Sequence, residues 1–331
     1  MWYISFQGES DGEVNNILIY HDSGVEHSQP NLLPTGGANP ALQELRGFTI
    51  VGDLLYVVNA YKRLSQLLLY RANGDGTYLF ESIFASAATI NSILHPFDCT
   101  FDPSGNCYLS SQDTNVVTRL QDSGAALPVA PYLLGNYNPS GNFLAGTFVA
   151  STVGGLPGVH PPAPPDVPAP QGLQVAYTDG TDTRVANSVR GVAYYADHLF
   201  VADEPGNAVK IYDGTTGQLA CTIAGSNLSA PVHLLFNGSM LYIGSSGNDS
   251  VLSCDLSSGV PAGTVAPVTF IDGGVKHISG MAFDGDGNFY AAERKAKKIK
   301  KFSASGASLG DFITGLPDEP EFIMYVPKAG S

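Results

Sequence analysis

Residues 46–59 read Arg46-Gly47-Phe48-Thr49-Ile50-Val51-Gly52-Asp53-Leu54-Leu55-Tyr56-Val57-Val58-Asn59: an apolar run, a Gly-Asp turn, and a second apolar run that ends on a polar residue. Two β-prone runs around so short a turn predict a β-hairpin. The same plan returns at Pro96 to Ser110, Arg190 to Asp203, Pro231 to Ser245 and Ser279 to Glu293, with an aromatic in the second run at Tyr56, Tyr108, Phe200, Tyr242 and Tyr290. Successive aromatics lie 52, 92, 42 and 48 residues apart. Each hairpin is followed by a polar loop and a third strand, as in Asn207 to Gly214, and then a fourth, as in Gln218 to Ile223.

Four short antiparallel strands recurring every forty to fifty residues predict an all-β protein, a β-propeller whose sheets bury their faces against one another around an axis. Trp2 to Phe6 reads as a second strand, and Glu321 to Val326 as a first strand without partners. Pairing the two would complete one blade from both termini and remove an open edge. The 92-residue interval leaves two counts open. Six blades with an insertion is one; seven is the other, with a degenerate blade suggested by the echo of Asp102 to Tyr108 in Asn138 to Leu144. Ala125 to Pro131 is too short for a strand plus the crossing of a four-stranded sheet, which favours six. The expectation is one propeller domain over 1–331, with 135–188 as insertion or degenerate blade. Its Pro-rich stretch, Pro157 to Pro170, is predicted to drape over one face.

Composition excludes other classes. Of 331 residues 44% are hydrophobic and only 14% charged, with 38 Gly and 22 Pro, which argues against coiled coils and charge-driven disorder. The net charge of −14 opposes nonspecific binding to nucleic acid or anionic lipid. No apolar run reaches the length of a membrane helix and no export signal is visible after Met1, so the expected location is cytoplasmic. Cys99, Cys107, Cys221 and Cys254 lack metal or redox spacing and read as buried free thiols, although Cys99 and Cys107 flank one hairpin and could meet across it.

Runs such as Val189 to Tyr194, His198 to Glu204 and Asn207 to Asp213 resemble the NHL-repeat type of propeller over most of the chain outside 135–188. That superfamily looks like the parent of calcium-dependent gluconolactonases and virginiamycin B lyase-like propellers. The resemblance implies a site at the mouth of the central channel; a fold does not assign the activity.

First strands line a propeller's channel, so the loops entering them gather residues from every repeat on one face. Alignment places Arg46, Phe97, Arg190, Val232, Ser279 and Glu321 at one position, and Gly47, Asp98, Gly191, His233, Gly280 and Phe322 at the next. His95, His277 and Glu319 lie just before; Asn59, Ser111, Asp203, Ser245 and Glu293 end the second strands on the same face. A divalent metal (calcium, magnesium or a transition metal) held among His95, His233, His277, Asp203 and Glu293 would fit a hydrolase or lyase acting on a small organic substrate. His95, His233, His277 or Glu293 would then move the proton. Arg46, Asn59, Asp98, Arg190, Glu204, Glu319 and Glu321 are the expected ligand contacts; the charged members could equally form an internal salt network. The alternative is a non-catalytic propeller gripping a small molecule or peptide on the same face. His21, His27, His160 and His198 fit structural roles, being set near turns or in the Pro-rich stretch. The strip Arg294 to Lys301, with six of the sixteen basic residues, reads as an anion-attracting lip or as lysines guarding a strand edge. No H-E-x-x-H, EF-hand, G-x-S-x-G or Walker pattern is present.

Overall fold

The computed structural model describes residues 1–8, 13–61, 63–88, 93–112, 116–121, 132–134, 189–204, 206–215 and 219–327. The expected insertion 135–188, its Pro-rich stretch, the echo at 138–144 and His160 lie outside the described residues. Among those described there is no helix, and so none long and apolar enough to cross a membrane.

Strands β1 (Trp2–Phe6), β2 (Leu18–Tyr20) and β3 (Glu26–Asn31) open the first sheet. The second is β4 (Leu45–Val51), β5 (Leu54–Asn59), β6 (Gln66–Ala72) and β7 (Tyr78–Ser86). The third is β8 (Pro96–Phe101), β9 (Cys107–Ser111), β10 (Val116–Leu120) and β11 (Tyr132–Leu134). The fourth is β12 (Val189–Tyr195), β13 (His198–Asp203), β14 (Ala208–Asp213) and β15 (Leu219–Ala224). The fifth holds β16 (Pro231–Asn237), β17 (Met240–Ser245), β18 (Ser250–Asp255) and β20 (Val268–Ile271), while β19 (Gly263–Val265) crosses back to pair in parallel with β15. The sixth is β21 (Ile278–Phe283), β22 (Phe289–Glu293), β23 (Lys298–Phe302) and β24 (Ser308–Ile313). The last strand, β25 (Pro320–Tyr325), pairs antiparallel with β1, so the first sheet runs β25-β1-β2-β3 and draws on both ends of the chain.

Among the described residues six hydrophobic clusters replace a single core, each lying mainly between two neighbouring sheets. The inner strands β25, β4, β8, β12, β16 and β21 pack in that order around a ring that returns from β21 to β25. The chain is thus a six-bladed propeller. The third and fourth sheets are direct neighbours: the Val192 N–H donates to Asp98 Oδ2 at 3.0 Å, and Tyr108 stacks on Tyr194 with centroids 5.6 Å apart. No seventh blade stands between them.

The repeated aromatic in the second strand has a repeated task. Tyr56 packs on Phe101, Tyr108 on Tyr194, Phe200 on Phe236 and Tyr242 on Phe283, each reaching the inner strand of the next blade with centroids 4.5–5.6 Å apart. Tyr290 and Tyr325 complete the series through Trp2. Aromatic contacts of this geometry add stabilisation beyond area burial. A second recurring joint is polar. Ser65, Asn207 and Asp249 take left-handed φ values of 43°, 49° and 57°, and their side chains accept the N–H of His95, Ala230 and His277 on the following blade at 2.8–3.0 Å. Short polar side chains tolerate this backbone region best.

Candidate functional site

The inner strands begin on one face of the disc, here called upper, and run toward the lower face, which carries the hairpins such as Ala196-Asp197. Three levels follow one another down the channel.

The upper level is an ion-pair network. Glu321 lies between Arg46 and Arg294, 3.0 Å from Arg294 Nε and in direct contact with Arg46. Arg294 also meets Glu319 at 3.0 Å, and Lys295 meets Glu319 at 2.9 Å. Arg190 pairs with Glu204 at 2.7 Å and lies over the Phe97 ring, 5.2 Å from its centroid. Pairing of this kind offsets the cost of removing ions from water.

The middle level is a waist formed by one residue from each inner strand, in ring order Phe322, Gly47, Asp98, Gly191, His233 and Gly280. Large and absent side chains alternate. A Cβ on Gly191 would meet Val232 O at 2.8 Å and His233 Cα at 3.0 Å; one on Gly280 would meet Phe322 Cα at 2.9 Å; one on Gly47 would meet Asp98 Cα at 3.0 Å. Three pairs of inner strands therefore approach at glycine. The other three junctions are bridged by side chains. Asp98 accepts the Val192 N–H, His233 Nδ1 accepts the Met281 N–H at 2.9 Å, and Ser5 Oγ donates to Arg46 O while accepting the Phe322 N–H.

Below the waist the channel widens into a cavity of about 420 Å³, whose lining runs from Asp98, His233 and Phe322 to Asn237, Phe283 and Tyr325 at the lower ends of the inner strands. Most lining residues are hydrophobic or aromatic, Phe48, Phe236, Met281 and Met324 among them, and polar groups contribute a substantial share of the wall. Asp98 and His233 are both buried. Burial pushes the Asp98 carboxyl up to about 7 against the pull of the Val192 and Cys99 N–H groups. Burial lowers the His233 imidazole to about 4. With Nδ1 accepting from a backbone N–H, the neutral ring carries its proton on Nε2 and is a donor there.

The residues expected to act together separate into these levels. Asp98 and His233 line the cavity. His95 and His277 align with Ala230, not with His233, and stand three residues before the waist position, just ahead of β8 and β21. Both have left-handed backbone, with φ of 50° each. His95 Nε2 is 3.3 Å from Glu44, and His277 is exposed. Glu293 accepts the Lys276 N–H at 2.7 Å and pairs with Lys298 at 3.0 Å; Asp203 accepts the Gly206 N–H at 3.1 Å and pairs with Lys210 at 3.1 Å. The five expected metal ligands thus do not converge, because they lie at different levels and are engaged by separate partners, and among the described residues no three His, Cys, Asp or Glu side chains form a set able to hold a metal ion. Asn59 is a loop brace: it accepts from Gln43 N and donates to Ala41 O and Gln66 Oε1 at 2.9–3.1 Å. Arg46, Arg190, Glu204, Glu319 and Glu321 form the upper network.

The basic strip is not a free lip. Arg294 and Lys295 serve that network, Lys298 and Lys300 meet Glu293, Lys297 meets Asp318 and Lys301 meets Asp284, at 2.9–3.9 Å. His198 Nδ1 faces Ala196 O in its turn at 2.6 Å. The four cysteines are free thiols. Contact with Cys107 and burial together push Cys99 well above the usual thiol range. Alignment had placed all six waist residues in register; their alternation of glycine with a side chain was the signal for the cavity floor. Ser5, which replaces a side-chain bridge from Phe322, left no such signal.

No family model matches the chain, and no curated protein matches it either. Solved structures do. A streptogramin B lyase aligns over 96% of this chain and 74% of its own, with a TM-score of 0.50 and 10% identity. The likeness is one of fold. A catalytically inactive virginiamycin B lyase from Staphylococcus aureus with quinupristin covers 84% of this chain and 73% of its own at TM-score 0.49 and 12% identity. The computationally designed Ika8 protein covers 98% and 78% at TM-score 0.47 and 11% identity.

Proposed function

We propose that this protein is a non-catalytic propeller that binds a small organic molecule in its central channel, entered from the lower side. One observation carries the reading: Asp98 and His233, two buried polar groups with hydrogen-bonding capacity to spare, stand at the floor of a cavity of about 420 Å³ whose lining residues are mostly hydrophobic and aromatic. Small-molecule sites have this composition and this range of size. The upper face supports the same choice, since its charges neutralise one another, as in Glu321 with Arg46 and Arg294. A metal-assisted hydrolase or lyase would need donors converging on one point, whereas Asp203 and Glu293 are engaged by Lys210 and Lys298, His95 faces Glu44, and His233 stands apart in the channel.

Ala193 lines the cavity at the edge of the cluster between the fourth and fifth sheets, so Ala193→Phe should narrow it. A fluorinated fragment set screened by ¹⁹F NMR against the full chain should yield fragments whose signals broaden with the wild type and not with a folded Ala193→Phe variant. If no fragment distinguishes the two proteins, the channel is not a binding site.

A further inference from the structure

Seven carboxylate side chains are buried among the described residues, and six have a basic neighbour. Glu44 faces His95, Asp102 Arg119, Asp203 Lys210, Glu293 Lys298, Asp318 Lys297 and Glu321 Arg294, at 3.0–3.8 Å. The seventh, Asp98, is 5% exposed and has no Lys, Arg or His partner among the described residues. It is also the one buried carboxylate that lines the channel cavity.

Resting on the channel reading above, we propose that the ligand is an organic cation, with an ammonium head held by Asp98 and an apolar body lodged against the aromatic and methionine side chains below it. A carboxylate offers about four acceptor directions. Asp98 uses two, for the Cys99 N–H at 2.8 Å and the Val192 N–H at 3.0 Å, so acceptor capacity remains for a ligand N–H. No described Lys or Arg lines the cavity to compete for the carboxylate or to attract an anionic ligand. His233 does not compete, because its Nδ1 is committed to the Met281 N–H and the ring is neutral. Its Nε2–H instead suits an acceptor on the ligand, such as a hydroxyl or carbonyl oxygen. Phe322 and Phe236 among the lining rings supply surfaces that tolerate a cation better than aliphatic walls do. The chain's net charge of −14 favours approach of a cation over an anion. Desolvation of a lone carboxylate, which holds Asp98 up at about 7, is the cost that a bound ammonium group would relieve.

Three near-isosteric probes separate the alternatives: 2-phenylethylamine, 2-phenylethanol and 3-phenylpropionate, titrated calorimetrically into the full chain, with Ala193→Phe reporting channel occupancy. The amine should bind about tenfold or more tighter than the alcohol, as a charge-assisted hydrogen bond predicts, and the carboxylate should bind weakest. In Asp98→Asn the preference for the amine should fall to about twofold or less while the alcohol is retained. Should that variant not fold, the wild-type ranking stands as the test. An alcohol or carboxylate that equals or exceeds the amine in the channel overturns the cation and leaves the channel reading intact. Channel-binding fragments in the fluorine screen with no binding of the amine likewise overturn it. Failure of all three probes together with an empty screen rejects the channel reading and the inference with it.

Discussion

At the scale of the residue, Asp98 and His233 occupy equivalent positions and respond to pH with opposite sign. The folded value of Asp98, about 7, lies above its ordinary 3.8. Its contribution to stability is therefore fully present below that ordinary value and is lost as the pH rises through about 7. The folded value of His233, about 4, lies below its ordinary 6.5, so its contribution is present above 6.5 and is lost as the pH falls through about 4. Chemical denaturation at pH 4, 6 and 8 checks this. Relative to Asp98→Asn, the wild type should lose stability from pH 4 to 8, by on the order of 4 kcal/mol. Relative to His233→Gln it should lose on the order of 3 kcal/mol from pH 8 to 4. Curves that stay parallel across this range contradict the buried, unpaired assignment. The same two residues show what single positions reveal in a sequence. His233 aligns with Asp98 and reaches the cavity, whereas His95 and His277 align with Ala230 and take left-handed backbone at a blade junction. Three histidines near three strand starts looked like one cluster, and a shift of three residues along the chain divides it.

At the scale of the element, the inner strands are fastened by two alternating devices, glycine approach and side-chain bridge. The difference is measurable by adding one methyl group. Gly191→Ala places a Cβ against backbone atoms, Val232 O at 2.8 Å and His233 Cα at 3.0 Å, which cannot swing aside. It should cost about 1–3 kcal/mol in urea denaturation. Gly244→Ala is the comparison, since its nearest atoms are side-chain carbons of Ile278 at 3.5 and 3.6 Å and its backbone is not left-handed. It should change stability by less than about 1 kcal/mol. Equal effects would remove the glycine approach as a distinct joint. Elements were the most legible part of the sequence. The aromatics at Tyr56, Tyr108, Phe200 and Tyr242 marked the second strands, and each packs on the next blade because its strand alternation points it there. The polar joints at Ser65, Asn207 and Asp249 were not legible, since three different residue types perform one task and only backbone geometry unites them.

At the scale of the whole molecule, six clusters between six sheets make each blade depend on both neighbours, and β25 beside β1 joins the ends of the chain. The ring explains how residues nearly three hundred positions apart, such as Gln7 and Arg294, come into contact. Chain length between strands favoured six blades over seven, but the depth at which the site lies was not legible. Sequence alignment places residues around an axis; it does not say that charges at one level cancel while those one step lower face a cavity. Binding of an organic cation beside Asp98 is the sharpest claim of the functional account, and it rests on the channel reading. Its most direct measurement is the anomalous bromine signal from a crystal soaked with 2-(4-bromophenyl)ethylamine. The account predicts a peak in the channel below the waist, with the ammonium nitrogen within hydrogen-bonding distance of Asp98. A channel without bromine, or bromine there with the nitrogen turned away from Asp98, would contradict it.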